Sequence, residues 1–472
     1  MKTKTFCFTE EDKRLYELPQ IFSISSIWLE EGMNDNWATF DLVVRGMPSR
    51  RNFLVFSGFE EIIHDVLNWK YSEEEINFLK ENKIITSAFE KYLRNFKFTG
   101  NVYAMPEGSI FFPDEPVVRV TAPLIEGNLL TMMMINALTS NTIFSTKNAR
   151  LVLAAKDKVL IGPWGMRAHS WESSLKCARA AYMVGSTVGA PTFFRKYGID
   201  PSKISTAIIG YHAFIKSYDS ELEAMRVIAK YGGKFLNTSV MVDTYDLISG
   251  IKNAITVAKE MEAEGRKLTS ITIDSGDLYE NAVMGRKMLD EAGLNYVRIT
   301  LAGNLDEYKI KEMVDKEVPA NAFIVATEGL TVSDSPKLET VFKIAQLESL
   351  GKIKSMAKLT PGKESYPGIK NVYRKYDKDG KIDGDVIGIE GEEDQGKPLL
   401  VSYIENGKLV REMPHLDEIR NYCIAAIKEI PESYLSLDKK YKYKVTISEK
   451  LKKLLEDVKT KHLGYSKRHK KV

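Results

Sequence analysis

The sequence predicts an α/β protein in which parallel strands and helices alternate to form a barrel, preceded by an α+β domain. The main observation is a set of six apolar, strand-like runs, each followed by a helical pattern, at intervals of about 25 to 35 residues. No GxGxxG motif follows the first run, which favours a barrel over a doubly wound sheet. The runs are Val159–Ile161, Ser205–Ile209, Val240–Val242, Ile271–Ile273, Val297–Leu301 and Ala322–Val325.

The chain before the barrel has the pattern of mixed α+β structure. Short alternating runs in Thr39–Leu54 and in Phe98–Val120 are interrupted by Gly and Pro, as strands joined by tight turns are. Residues 60–93 and 124–155 carry apolar side chains at helical spacing. After Ser335 the alternation weakens into predicted hairpins. We therefore expect three parts: an N-terminal α+β domain (1–150), the barrel (151–355) and a C-terminal segment (356–472).

Composition excludes several classes of function. The chain has 472 residues, and 67 basic against 64 acidic side chains leave a net charge of +3, so we expect no nucleic-acid partner. The basic run Lys467–Lys471 is expected to be a solvated end. Cys7, Cys177 and Cys423 lie too far apart for a zinc site or a disulfide framework. The first residues lack a signal peptide, and the apolar stretch Leu129–Leu138 is too short to span a bilayer, so we expect a cytoplasmic protein without a membrane partner.

The stretch Ser270–Leu278, SITIDSGDL, places two carboxylates at the exit of a predicted strand. Asp, Ser and Gly are also the residues of any strand-to-helix turn, and loops are polar in general. However, the carboxyl ends of parallel barrel strands share one rim, where such barrels carry their chemistry. The acids, histidines, arginine and asparagine at successive exits exceed what solubility requires. These rim residues are Arg167, His169, His212, Asp243, Asp274, Asp277, Asn304 and Thr327.

The order and spacing of eleven segments resemble one enzyme family. The segments are ATFDLVVR, LRNFKFTGNVYAMPEGSIFFPDEPVVRV, STKNARLVLAA, the pair Arg167 and Ala168, RAAYMVG, SELEAMR, VDTYDLISGIKNA, IDSGDL, MLDEAG, GNLDEYKI and PGIKNVYR. From about Tyr16 to Arg374 the chain is similar to the nicotinate phosphoribosyltransferases. The resemblance implies a type II phosphoribosyltransferase with an irregular, TIM-like α/β barrel. It also implies an N-terminal domain that the C-terminal segment rejoins, and a homodimer whose active site lies between subunits.

The resemblance further implies a reaction. Nicotinate and 5-phosphoribosyl 1-diphosphate would give nicotinate mononucleotide and diphosphate, in the salvage branch of NAD biosynthesis. Hydrolysis of the co-substrate ATP would be coupled through a phosphorylated histidine. Such a transfer passes through a ribosyl centre of oxocarbenium character, so acids beside the ribose and a Mg²⁺ ion on the leaving diphosphate would stabilise the developing charges.

The resemblance assigns roles to residues of this chain. Asp243, Asp274 and Asp277 are the candidate catalytic acids, and Asp243 and Asp274 would hold Mg²⁺, which prefers oxygen ligands. His212 falls where the family's phosphorylated histidine falls. The candidates for substrate contact, the last two as phosphate ligands, are Tyr16, Thr272, Ser275, Gly276, Gly303, Asn304, Thr327, Arg167 and Lys147.

The chain departs from the family pattern where substrate would bind. The residue after the histidine is Ala213 instead of serine, and the glycine-rich phosphate loop reads VATEG in Val325–Gly329. The aromatic residue that would stack on the pyridine ring is Tyr16 if one helical turn has been inserted after it, and otherwise Gln20 stands there. The family's arginine two residues before the DSGD aspartate is Thr272.

The loss of that arginine predicts a narrower preference for nicotinate over nicotinamide. An arginine–carboxylate pair contributes roughly 1.5 to 3 kcal/mol, and Thr272 offers one neutral hydroxyl instead. On this expectation Thr272→Arg would widen the preference. Two other readings stay open, namely a nicotinamide phosphoribosyltransferase and a non-catalytic descendant that binds a nucleotide.

Overall fold

The computed structural model describes residues 10–162, 168–201, 207–232, 237–393 and 395–469. Its helices are α1 (Glu10–Leu15), α2 (Pro19–Glu30), α3 (Phe59–Asn68), α4 (Glu73–Glu81), α5 (Ser87–Arg94), α6 (Leu124–Leu129), α7 (Thr131–Ala155), α8 (Trp171–Met183), α9 (Pro191–Tyr197), α10 (His212–Ile215), α11 (Glu221–Tyr231), α12 (Leu247–Ala263), α13 (Leu278–Glu291), α14 (Glu307–Asp315), α15 (Thr327–Thr331), α16 (Leu416–Lys428) and α17 (Glu449–His469). A 3-10 helix covers Glu432–Leu435.

The strands are β1 (Trp37–Val44), β2 (Leu54–Val55), β3 (Asn101–Ala104), β4 (Ile110–Phe111), β5 (Val118–Pro123), β6 (Val159–Ile161), β7 (Ala207–Gly210), β8 (Asn237–Met241), β9 (Ser270–Ile273), β10 (Arg298–Leu301), β11 (Ala322–Ile324), β12 (Thr340–Ser349), β13 (Lys352–Ser355), β14 (Lys370–Tyr376), β15 (Ile382–Ile389), β16 (Lys397–Pro398), β17 (Val401–Glu405), β18 (Lys408–Leu409) and β19 (Val445–Ile447).

The chain forms two compact units. Unit 1 comprises the residues up to Thr142, Lys337–Pro414 and the residues from Ala425 on, and unit 2 comprises Ile143–Pro336 with His415–Ile424. Unit 1 combines helices with sheets that are antiparallel except where β15 pairs with β19, and unit 2 has a parallel sheet whose strands alternate with helices. The predicted α/β class is therefore confirmed.

The main sheet of unit 1 has seven strands in the order β13-β12-β1-β5-β3-β17-β18, and each pair of neighbours is antiparallel. β1 is rich in β-branched and aromatic residues, and most of its side chains on both faces are buried. The C-terminal segment rejoins the N-terminal part here, because β17 pairs with β3. The stretch between residues 337 and 355 also lies in unit 1, since β12 pairs with β1.

Glu17, in the connection between α1 and α2, links this segment to the start of α7 in unit 1. Its Oε2 accepts the Met132 backbone N–H at 3.1 Å, whereas its buried Oε1 has no hydrogen-bond partner within the described residues. Burial raises the pKa of Glu17 to about 7, from an ordinary value of 4.5. The folded chain therefore retains a proton at pH values where the unfolded chain has released it.

We expect Glu17→Gln to flatten the pH dependence of stability. Because the folded-state pKa is raised, the stabilising contribution is complete below about 4.5 and is lost as the pH rises towards 7, by at most about 3 kcal/mol. Glutamine retains an acceptor for Met132 but cannot ionise, so the variant should lose less stability than the wild type between pH 5 and pH 8. Thermal unfolding at both pH values measures this. An equal loss in both proteins would show that Glu17 does not titrate in this range.

The sheet of unit 2 has six strands in the order β6-β11-β10-β9-β8-β7, with every neighbouring pair parallel. The order follows the chain from β7 to β11 without reversal, and the first strand of the unit pairs with the last. That order agrees with the predicted barrel, since a doubly wound sheet reverses its strand order at a switch point. Among the described residues, β6 and β7 do not pair, so closure of the barrel stays a prediction.

The two faces of β9 differ in the way a barrel strand requires. Ile271 and Ile273 point towards α13, where they lie beside Gly285. Ser270 and Thr272 share the opposite face, and both side chains are buried. The helices therefore cover an apolar face, whereas the other face of the sheet carries buried hydroxyl groups.

The described helices include none with both the length and the apolar composition that crossing a bilayer demands.

Candidate active site

Three adjacent strands of unit 2 deliver one polar side chain each to the same edge of the sheet. β7 leads into His212, the first residue of α10, while Asp243 and Asp274 follow β8 and β9. Because these strands are parallel neighbours, their carboxyl ends share one edge. One potential metal-binding atom from each residue lies within 4.8 Å of those of the other two. The structure thus brings together three of the residues that the sequence placed on the rim.

Asp243 organises the turn that follows β9. Its Oδ2 accepts the Asp274 backbone N–H at 2.8 Å and the Ser275 hydroxyl at 2.6 Å. Its Oδ1 is buried and has no hydrogen-bond partner within the described residues. Because a buried carboxylate oxygen without a partner is costly, this atom is suited to a cation or to a donor from a ligand.

The imidazole of His212 is held at both ring nitrogens. Nδ1 lies 3.1 Å from the hydroxyl of Thr244, and Nε2 lies 3.4 Å from Oδ1 of Asp274. A tautomer with its proton on Nδ1 would donate to Thr244 and leave the Nε2 lone pair facing the acids. Thr244 was not among the sequence candidates, although its place directly after Asp243 is a signal that could have identified it.

The carboxyl of Asp274 is poised near a like charge. Burial and the neighbouring Asp243 raise its pKa, while His212 opposes the rise. A cation bound between the two carboxylates would reverse this shift and satisfy Oδ1 of Asp243. Carboxylate oxygens are the ligands that Mg²⁺ prefers. Asp243 and Asp274 therefore fit the magnesium site that the sequence analysis expected.

Gly303, in the loop after β10, packs directly on the backbone of Asp274. Its φ of +99° lies in the left-handed region, and a Cβ atom there would overlap the carbonyl oxygen of Asp274. Gly276, in the turn after Asp274, has a φ of +74°. Both glycines are thus required by backbone conformation, whether or not they also contact substrate.

Asp277 acts as the N-cap of α13. Its exposed side chain accepts the backbone N–H groups of Tyr279 and Glu280, each at 3.1 Å. Asn304 is exposed with a φ of +46°, and Thr327 begins α15 as a half-buried residue. The catalytic role predicted for Asp277 and the substrate contacts predicted for Asn304 and Thr327 stay predictions.

Thr272 lies inside the sheet, below the rim. Its side chain is fully buried, and its hydroxyl lies 3.3 Å from that of Ser239, which in turn accepts a hydrogen bond from Ser270 at 2.8 Å. An arginine at position 272 would have to enter this closed layer of hydroxyl groups. Contact between Thr272 and a pyridine base, and with it the expected change in base preference, stays a prediction.

The remaining candidates lie elsewhere or outside the described residues. Lys147 is buried in unit 2 and paired with Glu307 and Asp334. Tyr16 belongs to unit 1, where 77% of its surface is exposed. Arg167 lies outside the described residues, so its predicted phosphate contact is untested.

Comparison with known proteins agrees with these features. The family model for the nicotinate phosphoribosyltransferase N-terminal domain matches residues 17–139, and the model for the C-terminal domain of the same family matches residues 393–455. The nicotinate phosphoribosyltransferase pncB2 of Mycobacterium tuberculosis is 30% identical over 439 residues, which cover 92% of this chain and 91% of that protein. The nicotinate phosphoribosyltransferase of Bacillus subtilis is 30% identical over 461 residues, covering 92% of each chain.

The fold has a counterpart among solved structures. The crystal structure of human nicotinic acid phosphoribosyltransferase superposes with a TM-score of 0.78 and 19% identity, and the match covers 94% of this chain and 99% of the human one. At that identity the likeness concerns the fold alone. The two curated relatives are each 30% identical over 92% of this chain, so this chain belongs to the nicotinate phosphoribosyltransferase family.

Proposed function

We propose that the chain transfers the 5-phosphoribosyl group of 5-phosphoribosyl 1-diphosphate to nicotinate, giving nicotinate mononucleotide and diphosphate in NAD biosynthesis. The observation that carries the proposal is the convergence of His212, Asp243 and Asp274 at three adjacent strand exits. It occurs in a chain 30% identical, over 92% of its length, to a named nicotinate phosphoribosyltransferase. The site supplies the groups that this chemistry requires.

The two carboxylates stabilise positive charge at the reacting centre. As the bond to diphosphate lengthens, the ribosyl carbon acquires oxocarbenium character, and a carboxylate fixed nearby lowers the energy of that state. Asp243 holds Asp274 through the backbone N–H, so the two acids keep their spacing during the reaction. A Mg²⁺ ion held by Asp243 and Asp274 would neutralise charge on the leaving diphosphate.

A direct assay tests the proposed function. Purified protein incubated with phosphoribosyl diphosphate and Mg²⁺ should convert nicotinate to its mononucleotide, and parallel reactions with nicotinamide measure the base preference. We expect the product from nicotinate. Turnover of nicotinamide alone would identify the other base as the substrate, and turnover of neither would favour a non-catalytic nucleotide-binding protein.

We also propose that ATP is a co-substrate and that His212 accepts its phosphoryl group. The support is the position of the ring, because Nδ1 lies within hydrogen-bond distance of the Thr244 hydroxyl, and a tautomer protonated on Nδ1 would leave the Nε2 lone pair at the site. Incubation with labelled ATP and Mg²⁺ should give a phosphate that is labile in acid and stable in alkali. His212→Ala should lack it, whereas His462→Ala, which alters an exposed histidine of α17, should retain it. Synthesis without any label would mean that the transfer is not coupled through His212.

Two properties stay proposals. A homodimer is supported by four large apolar side chains in and just before α2 of unit 1 that are exposed in the single chain, namely Tyr16, Leu18, Ile24 and Ile27. Light scattering of the purified protein measures its mass. A cytoplasmic location agrees with the buried thiols of Cys177 and Cys423.

A further inference from the structure

Helix α7 carries a buried network of charges in unit 2. Lys147 and Glu307 have side chains only 1% and 0% exposed, and the Nζ atom of Lys147 lies 2.5 Å from Oε2 of Glu307. The same Nζ atom lies 3.0 Å from Oδ1 of Asp334. Arg150 donates from Nε to Oε1 of Glu307 at 3.0 Å. Among the described residues, the network thus sets two cations against two carboxylates.

The partners of α7 lie directly behind two strand exits. Glu307 is the first residue of α14, immediately after the loop of residues 302–306 that contains Gly303 and packs on Asp274. Asp334 follows α15, the helix that begins after β11. Asn148 adds a second contact there, donating to the carbonyl oxygen of Gly329 at 3.1 Å. One helix therefore contacts the segments that support the exits of β10 and β11.

The contacts of Lys147 are those of a structural cation. A side chain that is 1% exposed offers no surface on which a diphosphate from solution could bind. Burial alone would raise the pKa of Glu307, but Lys147 and Arg150 hold it below its usual range, so the carboxylate stays ionised and paired at neutral pH. Removing one partner of a buried pair leaves an uncompensated charge, which is strongly destabilising locally.

We propose that Lys147 is a positioning residue for the phosphoribosyl transfer, in place of the phosphate-ligand role that the family resemblance implies. By bridging Glu307 and Asp334 it fixes the loops after β10 and β11 relative to each other, and through Gly303 it fixes the backbone of Asp274. The inference rests on the proposed function. It requires that Lys147 and Asp334 act as a coupled pair.

A double-mutant cycle on the full-length protein tests the coupling between Lys147 and Asp334. Lys147→Met and Asp334→Asn should each lower kcat/KM by about 10- to 100-fold, since small displacements of reacting groups have effects of that size. The kcat/KM of the double variant should lie within about 3-fold of that of the less active single variant, because the effects of coupled residues are not additive. Amides of residues 302–309 should exchange hydrogen faster in each variant than in the wild type. Lys147→Arg, which retains the charge, should recover part of the activity.

A matched control is available on the same pair of elements. Lys156, just after α7, pairs with Asp315 at the end of α14 at 3.0 Å, but both side chains are largely exposed. Lys156→Met should leave kcat/KM and the exchange of residues 302–309 unchanged, because exposed pairs contribute little.

Other outcomes overturn the inference. If Lys147→Met raised the KM for phosphoribosyl diphosphate without faster exchange in residues 302–309, Lys147 would be a ligand instead. Additive losses of kcat/KM in the cycle would show that Lys147 and Asp334 act independently. If Lys147→Met does not fold, the Asp334→Asn variant alone tests the proposal. Unchanged hydrogen exchange and unchanged activity in that variant would refute the positioning role of the pair. An inactive wild type would refute the proposed function. The hydrogen-exchange measurement would still show whether Lys147 and Asp334 hold residues 302–309 in place.

Discussion

Asp243→Asn and Asp274→Asn are each expected to lower kcat by at least about 100-fold, close to 3 kcal/mol of transition-state stabilisation, while the fold is retained. Asparagine matches aspartate in size, and its amide oxygen can replace Oδ2 of Asp243 as the acceptor for Asp274 and Ser275. What the variants lose is negative charge beside the ribosyl centre and an oxygen ligand for Mg²⁺. Steady-state kinetics, with circular dichroism to verify folding, measure the effect.

Asp246→Asn is the matched control for these variants. Asp246 lies in the same exit loop as Asp243 but caps α12, accepting the Ser249 backbone N–H at 2.8 Å. Asparagine is an equally good N-cap, so this variant should remain within about 3-fold of the wild type. Normal activity in either Asp243→Asn or Asp274→Asn would remove that residue from the reacting centre.

Gly303→Ala is expected to lower kcat/KM by about 10- to 100-fold. A methyl group at this position would overlap the carbonyl oxygen of Asp274, so the backbone that carries the acid must move. A displacement of about 1 Å at a reacting group can lower a rate by two orders of magnitude. The positive φ of +99° adds roughly 1 kcal/mol or more of strain for alanine.

The strain can be separated from the displacement with Gly293→Ala. Gly293 follows α13 with a φ of +73°, but a Cβ atom there would meet only the flexible end of Lys259 at 3.9 Å. Both alanine variants should lower the melting temperature, and only Gly303→Ala should lose activity. Equal kinetics in the two variants would mean that Gly303 does not support Asp274.

The convergence of the central acids could be predicted from the sequence because it follows from two regular patterns. The apolar runs placed the strands closely, since β6 is Val159–Ile161 as expected and β9 begins one residue before the expected Ile271. Parallel neighbours then place their carboxyl ends together, so Asp243 and Asp274 had to meet. No side-chain detail was needed for that step.

Burial and long-range pairing could not be predicted in the same way. The alternation in β9 shows that Ser270 and Thr272 share a face. Whether that face is buried depends on side chains of other strands, such as Ser239. The partners of Lys147 lie far along the chain, and ion pairs between distant segments leave no local pattern in a sequence. A lysine assigned to phosphate from its motif therefore lies among carboxylates in the fold.

The order of strands also sets the order in which the protein can be built. β6 is the first strand of unit 2 to leave the ribosome, yet its partner β11 is the last of that sheet to emerge. β1 likewise cannot pair with β12 until the whole segment from Ile143 to Pro336 has been synthesised. Contacts of such high sequence separation slow folding and leave strand edges unpaired in the meantime. The nascent chain thus carries exposed edges through most of its synthesis, and assistance by chaperones should raise the yield of native protein more than added folding time alone.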